Sequence, residues 1–346
     1  MAKLVLNNIS KMYGDQTVVK DLYLEIPAGA FTAFLGPSGC GKTTTLRMLA
    51  GLESVSAGEL FLGDRLLANH TLHIPPEDRH MSMVFQSYAL WPHMTVAENV
   101  GYPLKIQKMK QNALQKKVNN ALEIVGLERY ASRSPQELSG GQRQRVALAR
   151  CLVSNPKVVL LDEPLANLDR HLRATMEETF REFHQQTGAT FIYVTHDQAE
   201  AMSLASHIAV MDQGKLMQWG TPQELYQNPN NPWVASFIGQ GSIVNLSLDQ
   251  TKLTSPFLSF DLLQNTQLIR ENFTDSSAIL LRPQHVVLSD EGMPATIINA
   301  IYQGERYLLS LKLENGQTVQ AFHENPVLIG SLVKLQFKQG WKLSNE

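Results

Sequence analysis

The sequence predicts an α/β domain built on a parallel sheet and carrying a helical insert, followed by a small all-β domain. Three observations predict it. Gly36-Pro37-Ser38-Gly39-Cys40-Gly41-Lys42-Thr43 spells Gly-x-x-x-x-Gly-Lys-Thr between the apolar run Phe31 to Leu35 and a helix-like stretch from Thr44 to Ala50. The runs Phe31 to Leu35, Val158 to Leu161, Phe191 to Val194 and Ile208 to Met211 are apolar on consecutive residues, as strands buried on both faces of a parallel sheet are. Near the C-terminus, Leu309, Leu311 and Leu313 alternate up to Glu314-Asn315-Gly316-Gln317, and Val319 and Ala321 alternate away, which is a hairpin about an Asn-Gly turn.

From the N-terminus, Leu4 and Leu6, then Leu22, Leu24 and Ile26, alternate with polar residues, the period of half-buried antiparallel strands. The glycine-rich turn comes next. Such a turn points successive backbone N–H groups into one concavity, and the N-terminus of the following helix adds positive potential for an anion. Gly36, Ser38, Gly39, Cys40, Gly41, Lys42, Thr43 and Thr44 are therefore candidates to bind phosphates. Lys42 reaches the outer phosphates, and the Thr43 hydroxyl is available to Mg²⁺. A mainly helical insert follows from about residue 88 to 155, in which Leu114, Val118, Leu122 and Val125 recur at helical spacing. Its lysines, Lys105, Lys108, Lys110, Lys116 and Lys117, have Glu123 and Glu128 nearby and no aromatics among them. They read as a solvated helix face rather than a nucleic-acid patch.

Gln227-Asn228-Pro229-Asn230-Asn231-Pro232 is a polar connector, Trp233 to Ile238 a short apolar helix, and Gly239-Gln240-Gly241 a hinge-like break. The expected division is therefore 1–238 and 239–346, with the second domain a small barrel of the OB type in which Val333, Leu335 and Phe337 alternate again.

A chain of 346 residues accommodates two domains. Its formal net charge of −2 gives no bulk electrostatic reason to bind nucleic acid. Met-Ala-Lys-Leu-Val-Leu-Asn-Asn turns polar too soon for a signal peptide, which predicts a cytoplasmic location. The long uncharged stretch from Met81 to Ala97 is broken by Gln86, Pro92 and His93, so no span is expected and any membrane role needs a partner chain. Cys40 and Cys151 read as two free thiols.

Leu138-Ser139-Gly140-Gly141-Gln142 opens a helix-like stretch, and Val158-Val159-Leu160-Leu161 ends in Asp162-Glu163-Pro164. Adjacent at a strand end, Asp162 and Glu163 are sent opposite ways by the pleat and take separate tasks. A P-loop, this signature and this acidic pair together resemble the ATP-binding cassette (ABC) ATPases, over residues 1 to about 238. The resemblance implies that Asp162 holds Mg²⁺ with Thr43 and that Glu163 is the general base for the attacking water. It implies a γ-phosphate contact for His196, and for Gln86 a link from Mg²⁺ and water to the helical insert. Tyr13 sits where the family stacks a ring on adenine. Leu165-Ala166-Asn167-Leu168-Asp169 matches the D-loop and keeps Asp169, but has Ala166 where serine is usual. Ser139, Gly140, Gly141 and Gln142 would close over ATP held by a second subunit, giving a head-to-tail homodimer with two shared sites.

One cassette followed by β structure resembles the ATPase subunits of bacterial solute importers of the maltose, polyamine and ferric-ion type. Ile279-Leu280-Leu281-Arg282-Pro283-Gln284 is similar to a strand motif of their C-terminal TOBE barrel, with Gln284 where glutamate is commoner. Ser87 to Val96, with Tyr88, Trp91 and Met94, is similar to the surface that receives a coupling helix. The implied partners are integral permease subunits at the cytoplasmic face of the inner membrane and, through them, an external solute-binding protein. The β domain also reads as a regulatory module. A soluble ABC ATPase acting on nucleic acid or ribosomes is the other reading; it calls for a second cassette, a long coiled coil or a basic face. The solute lies beyond the sequence, with a lean to ferric ion ahead of sugars and polyamines.

Overall fold

The structure is a computed structural model that describes residues 3–166, 168–246 and 277–343. By packing, the chain divides into two units, Met1–Pro222 and Gln223–Glu346.

In the first unit, β1 (Leu4–Tyr13), β2 (Gln16–Ile26), β4 (Ala57–Leu62) and β5 (Arg65–Ala68) form an antiparallel sheet in the order β2-β1-β4-β5. The second sheet contains β3 (Phe31–Leu35), β6 (Met81–Val84), β7 (Val158–Asp162), β8 (Thr190–Thr195), β9 (His207–Asp212) and β10 (Lys215–Gly220). Their order is β10-β9-β3-β8-β7-β6, parallel except for the β9–β10 edge pair. The helices are α1 (Lys42–Ala50), α2 (Val96–Ile106), α3 (Gln111–Ile124), α4 (Gly140–Leu152), α5 (Arg170–Thr187) and α6 (Gln198–Leu204). Both predicted strand classes and the helical insert are present.

Consecutive apolar residues in the central strands follow from two cores, one on each face. Phe31, Val159, Leu161, Phe191 and Tyr193 pack with the insert helices. Phe34, Val158, Leu160, Ile192 and Val194 pack with α1 and the antiparallel sheet. Each strand thus divides its side chains alternately between the two cores.

The helix after the glycine-rich loop is closed by a residue from elsewhere. Arg79 is fully buried and donates to the carbonyls of Met48 and Leu49 at 2.6 and 2.9 Å and of Ile74 at 2.7 Å. It satisfies carbonyls that the last turn of α1 leaves without an intrahelical partner. Burial lowers the guanidinium pKa to about 10.

In the second unit, α7 (Pro222–Gln227) and α8 (Pro232–Phe237) precede β11 (Ser242–Leu246), β12 (Ser277–Leu281), β13 (Val286–Ser289), β14 (Met293–Tyr302), β15 (Tyr307–Leu313), β16 (Thr318–His323), β17 (Leu332–Phe337) and β18 (Trp341–Lys342). The sheets run β11-β12-β18 and β13-β17-β14-β15-β16 and share a core that includes Val244, Ile279, Leu309, Val319 and Leu335. The β15–β16 hairpin turns at Gly316, whose φ of 84° is the left-handed backbone that glycine adopts without penalty. The Gly239-Gln240-Gly241 stretch is tied down: Arg282 donates to the carbonyls of Ile238 and Gln240 at 2.7 and 2.9 Å and to that of Tyr226 at 2.7 Å. Ala235 of α8 packs with Ala278, Leu280 and Leu343, so packing groups this helix with the β unit.

Candidate active site

The glycine-rich loop, Gln86, Asp162, Glu163 and His196 lie at the carboxyl ends of adjacent parallel strands, where open α/β sheets place ligands. The glycine-rich loop follows β3, Gln86 follows β6, Asp162 ends β7 and His196 follows β8.

The loop's glycines answer different constraints. At Gly36 a Cβ would lie 2.1 Å from the Met211 carbonyl, and at Gly41, with φ of 101°, 2.9 Å from that of Val18. Gly39 has open space around it but a φ of 80°, so only its backbone conformation asks for glycine. Lys42 is buried, and its Nζ turns back onto the loop, donating to the Gly36 and Pro37 carbonyls at 2.7 and 2.8 Å. Cys40 Sγ is 3.7 Å from that ammonium. Burial pushes the Cys40 thiol pKa up and that of Cys151 to about 12, and both thiols are free and buried. Thr44 follows Thr43 in the first turn of α1.

Thr43 donates its hydroxyl to Asp162 Oδ1 at 3.1 Å. Burial raises the Asp162 pKa, and the Thr43 hydrogen bond opposes that rise. Glu163 turns away from this pair, though by more than the pleat: β7 ends at Asp162, and Glu163 takes a left-handed φ of 44° while its N–H donates to the Val194 carbonyl at 3.1 Å. Its Oε2 then lies 3.5 Å from Gln86 Nε2 and 3.7 Å from His196 Nδ1. The His196 side chain is 57% exposed and that of Glu163 25%, so both can meet a solvent-delivered ligand.

A hydroxyl, a carboxylate and an amide oxygen are the hard donors that Mg²⁺ takes alongside phosphate oxygens and water. The set Thr43, Asp162 and Gln86 fits that ion. Among the described residues no group of three or more His, Cys, Asp or Glu forms a metal cage.

Ser139 caps α4: its hydroxyl accepts from Gln142 N–H at 3.3 Å, and Gln142 Oε1 accepts from Ser139 N–H at 2.9 Å, a capping box. Gly140 has open space where a Cβ would be, whereas Gly141 faces Leu172. Asp169 caps α5 by accepting from Leu172 N–H at 2.9 Å; Asn167 of the same loop lies outside the described residues. Tyr13 ends β1 with 46% exposure. Nothing among the described residues brings Ser139 to the Lys42 loop.

Sequence reasoning missed the support behind His196. Asp197 accepts from Ala199 and Glu200 N–H groups to cap α6 and accepts from Arg173 of α5 at 3.0 Å. Glu200 is buried and accepts hydrogen bonds from Tyr193 and Thr195 at 2.8 and 2.6 Å; burial raises its pKa against those bonds. Asp197-x-x-Glu200 directly after a strand was the readable signal.

The segment after Gln86 is also held. Tyr88 and Ala89 take left-handed φ values of 62° and 45°, and Arg150 donates to their carbonyls at 2.8 and 2.6 Å. Trp91 packs on Tyr102 at 4.3 Å between centroids, with the Arg150 guanidinium 4.9 Å from its ring. Ala89, Trp91, Tyr102 and Arg150 line a cleft of about 810 Å³ that also includes Phe85 and Ile106. No described helix is long and apolar enough to cross a membrane.

Residues 19–166 match the ABC transporter family and residues 279–341 the TOBE domain. The trehalose/maltose import ATP-binding protein MalK of Thermococcus litoralis is 50% identical over 241 residues, 69% of this chain and 65% of that protein. The maltose/maltodextrin import ATP-binding protein MalK of Salmonella typhi is 40% identical over 342 residues, 97% of this chain and 89% of that one. The Fe(3+) ions import ATP-binding protein FbpC of Vibrio cholerae is 42% identical over 312 residues, 89% and 87%. Among solved structures, the dimeric post-hydrolysis state of the ATP-binding cassette MJ0796 with ADP and Pi aligns with a TM-score of 0.57 at 30% identity, covering 63% of this chain and 98% of that one. Likeness at 40% identity through 97% of the chain, on a fold that gathers a phosphate loop and two carboxylates at one end of its strands, shows that the chain belongs to the ATP-hydrolysing, ATP-binding subunits of ABC import systems.

Proposed function

We propose that the chain works as a head-to-tail homodimer at the cytoplasmic face of the inner membrane, held there by integral permease subunits, and powers uptake of a small solute delivered by an external binding protein. The observation that carries this reading is the convergence of Gln86, Glu163 and His196 within 3.7 Å beside the Thr43–Asp162 pair.

Loop N–H groups from Gly36 to Thr44 cradle the triphosphate, and Lys42 leaves its two carbonyls to neutralise the outer phosphates. Thr43, Asp162 and Gln86 hold Mg²⁺, which when bound supplies charge neutralisation at the phosphates. Glu163 accepts the proton of the water that attacks the γ-phosphorus, so that ATP and water become ADP and phosphate; a positioned base contributes about 10² to 10⁴ in rate. His196 contacts the γ-phosphate, Tyr13 stacks on adenine, and Ser139, Gly140, Gly141 and Gln142 close over the partner's nucleotide with Asp169 beside them. The cleft at Trp91 receives the permease segment. The named relatives are import subunits for trehalose/maltose, maltose/maltodextrin and Fe(3+) ions at 50%, 40% and 42% identity, which supports a small solute; we favour ferric ion before sugars and polyamines. Recovery of integral membrane proteins with the chain from native membranes tests the importer role. ATPase stimulation in reconstituted complexes by one candidate binding protein, loaded with Fe(III), maltose or a polyamine, tests the solute.

A further inference from the structure

Lys11 is a buried cation that the phosphate chemistry leaves unused. It is 6% exposed, a rare position for lysine. One residue, Met12, separates it from Tyr13 on β1, so the pleat puts both side chains on one face. Its Nζ donates to the Ser54 carbonyl at 2.8 Å and Ser54 Oγ at 3.3 Å, lies 3.2 Å from Glu53 Oε2, and stands 4.8 Å from the centroid of the Tyr13 ring. Burial, and then the neighbouring Glu53 carboxylate, raise the Tyr13 phenol pKa.

These contacts have a directional effect. An ammonium anchored to backbone faces the negative π-cloud on one side of the ring and fixes the ring plane. It also draws π density toward itself, leaving the opposite face more attractive to an electron-rich aromatic. Among nucleotide parts, the purine base is such an aromatic; the phosphates are not.

We propose that Lys11 is a positioning residue that holds the Tyr13 ring as a polarised platform for adenine, so that it contributes to affinity for the base and not for the triphosphate. The inference rests on the reading of Tyr13 as the adenine-stacking residue. The full-length chain is titrated with ATP and with inorganic triphosphate in Mg²⁺-free buffer, where no turnover occurs. Lys11→Gln and Lys11→Met both remove the charge, the first keeping a donor for the Ser54 carbonyl and the second an unbranched, flexible stem, so either folded variant carries the test. Each should raise the Kd for ATP about fivefold and leave that for triphosphate unchanged, while Lys11→Arg stays within about twofold of wild type on both ligands. Tyr13→Ala should raise the ATP Kd about tenfold, and adding Lys11→Gln should then change nothing more. Equal losses for ATP and triphosphate in the neutral variants, or an undiminished Lys11 effect without the ring, overturn the inference. If Tyr13→Ala leaves the ratio of the two affinities unchanged, the stacking reading fails as well; if it lowers the ratio and the Lys11 variants do not, only the role of Lys11 fails.

Discussion

The Thr43 hydroxyl donates to Asp162 Oδ1 at 3.1 Å, joining the first turn of α1 to the end of β7. That bond compensates only part of the burial of the Asp162 carboxylate, whose pKa stands above its ordinary 3.8. A carboxyl with a raised folded pKa binds its proton more tightly in the folded than in the unfolded protein. Its contribution to stability is therefore present below pH 3.8 and lost as pH rises through the folded value. Asp162→Asn should lose ATPase activity yet raise the melting temperature of the nucleotide-free protein at pH 7 relative to pH 4. Calorimetric melting at both pH values checks this, and a lower melting temperature at pH 7 would contradict it.

Glu163→Gln keeps size and loses the basic oxygen. Nucleotide affinity should stay near wild type while turnover falls by about 10² to 10⁴. Steady-state phosphate release together with nucleotide binding checks both halves. Turnover within a few-fold of wild type removes Glu163 as the base.

Lys42→Ala should weaken ATP binding tenfold or more, since charge-assisted contacts are worth roughly 1.5 to 3 kcal/mol each. A fluorescent ATP analogue measures it, and unchanged affinity counts against the assignment of the loop.

Arg79→Met should cost about 3 kcal/mol, because the Leu49 and Ile74 carbonyls lose their donor inside the protein and the Met48 carbonyl is left with the Gly51 N–H alone. Denaturant midpoints give the number. A cost below about 1 kcal/mol would mean that water replaces the guanidinium there.

The shared-site arrangement is tested by mixing Lys42→Ala chains with Ser139→Arg chains. Each homodimer has two defective sites; a mixed dimer joins the intact loop of one chain to the intact signature of the other. Vanadate trapping of nucleotide should reappear in the mixture. With heterodimers verified, trapping no greater than in either homodimer sinks the model.

Much of this was legible before any coordinates. The central strands announced themselves because both faces are buried, and the hairpin because Asn315-Gly316 permits one turn. The pleat predicts that Glu163 faces away from Asp162, but its left-handed turn depends on the Val194 carbonyl of the neighbouring strand, which periodicity cannot supply. Arg79, Arg173 and Lys11 were illegible for the same reason: their partners lie far along the chain, and sequence spacing reports which face a residue occupies, not what meets it there. The division of the chain was read from composition at Gly239, whereas packing groups α8 with the β unit through Ala235.

Lys42 gives the loop an internal counter-ion. Its ammonium already satisfies the Gly36 and Pro37 carbonyls, so on the proposed function nucleotide binding would be an exchange between two bonded states, in which triphosphate competes with the protein's own backbone for one charge.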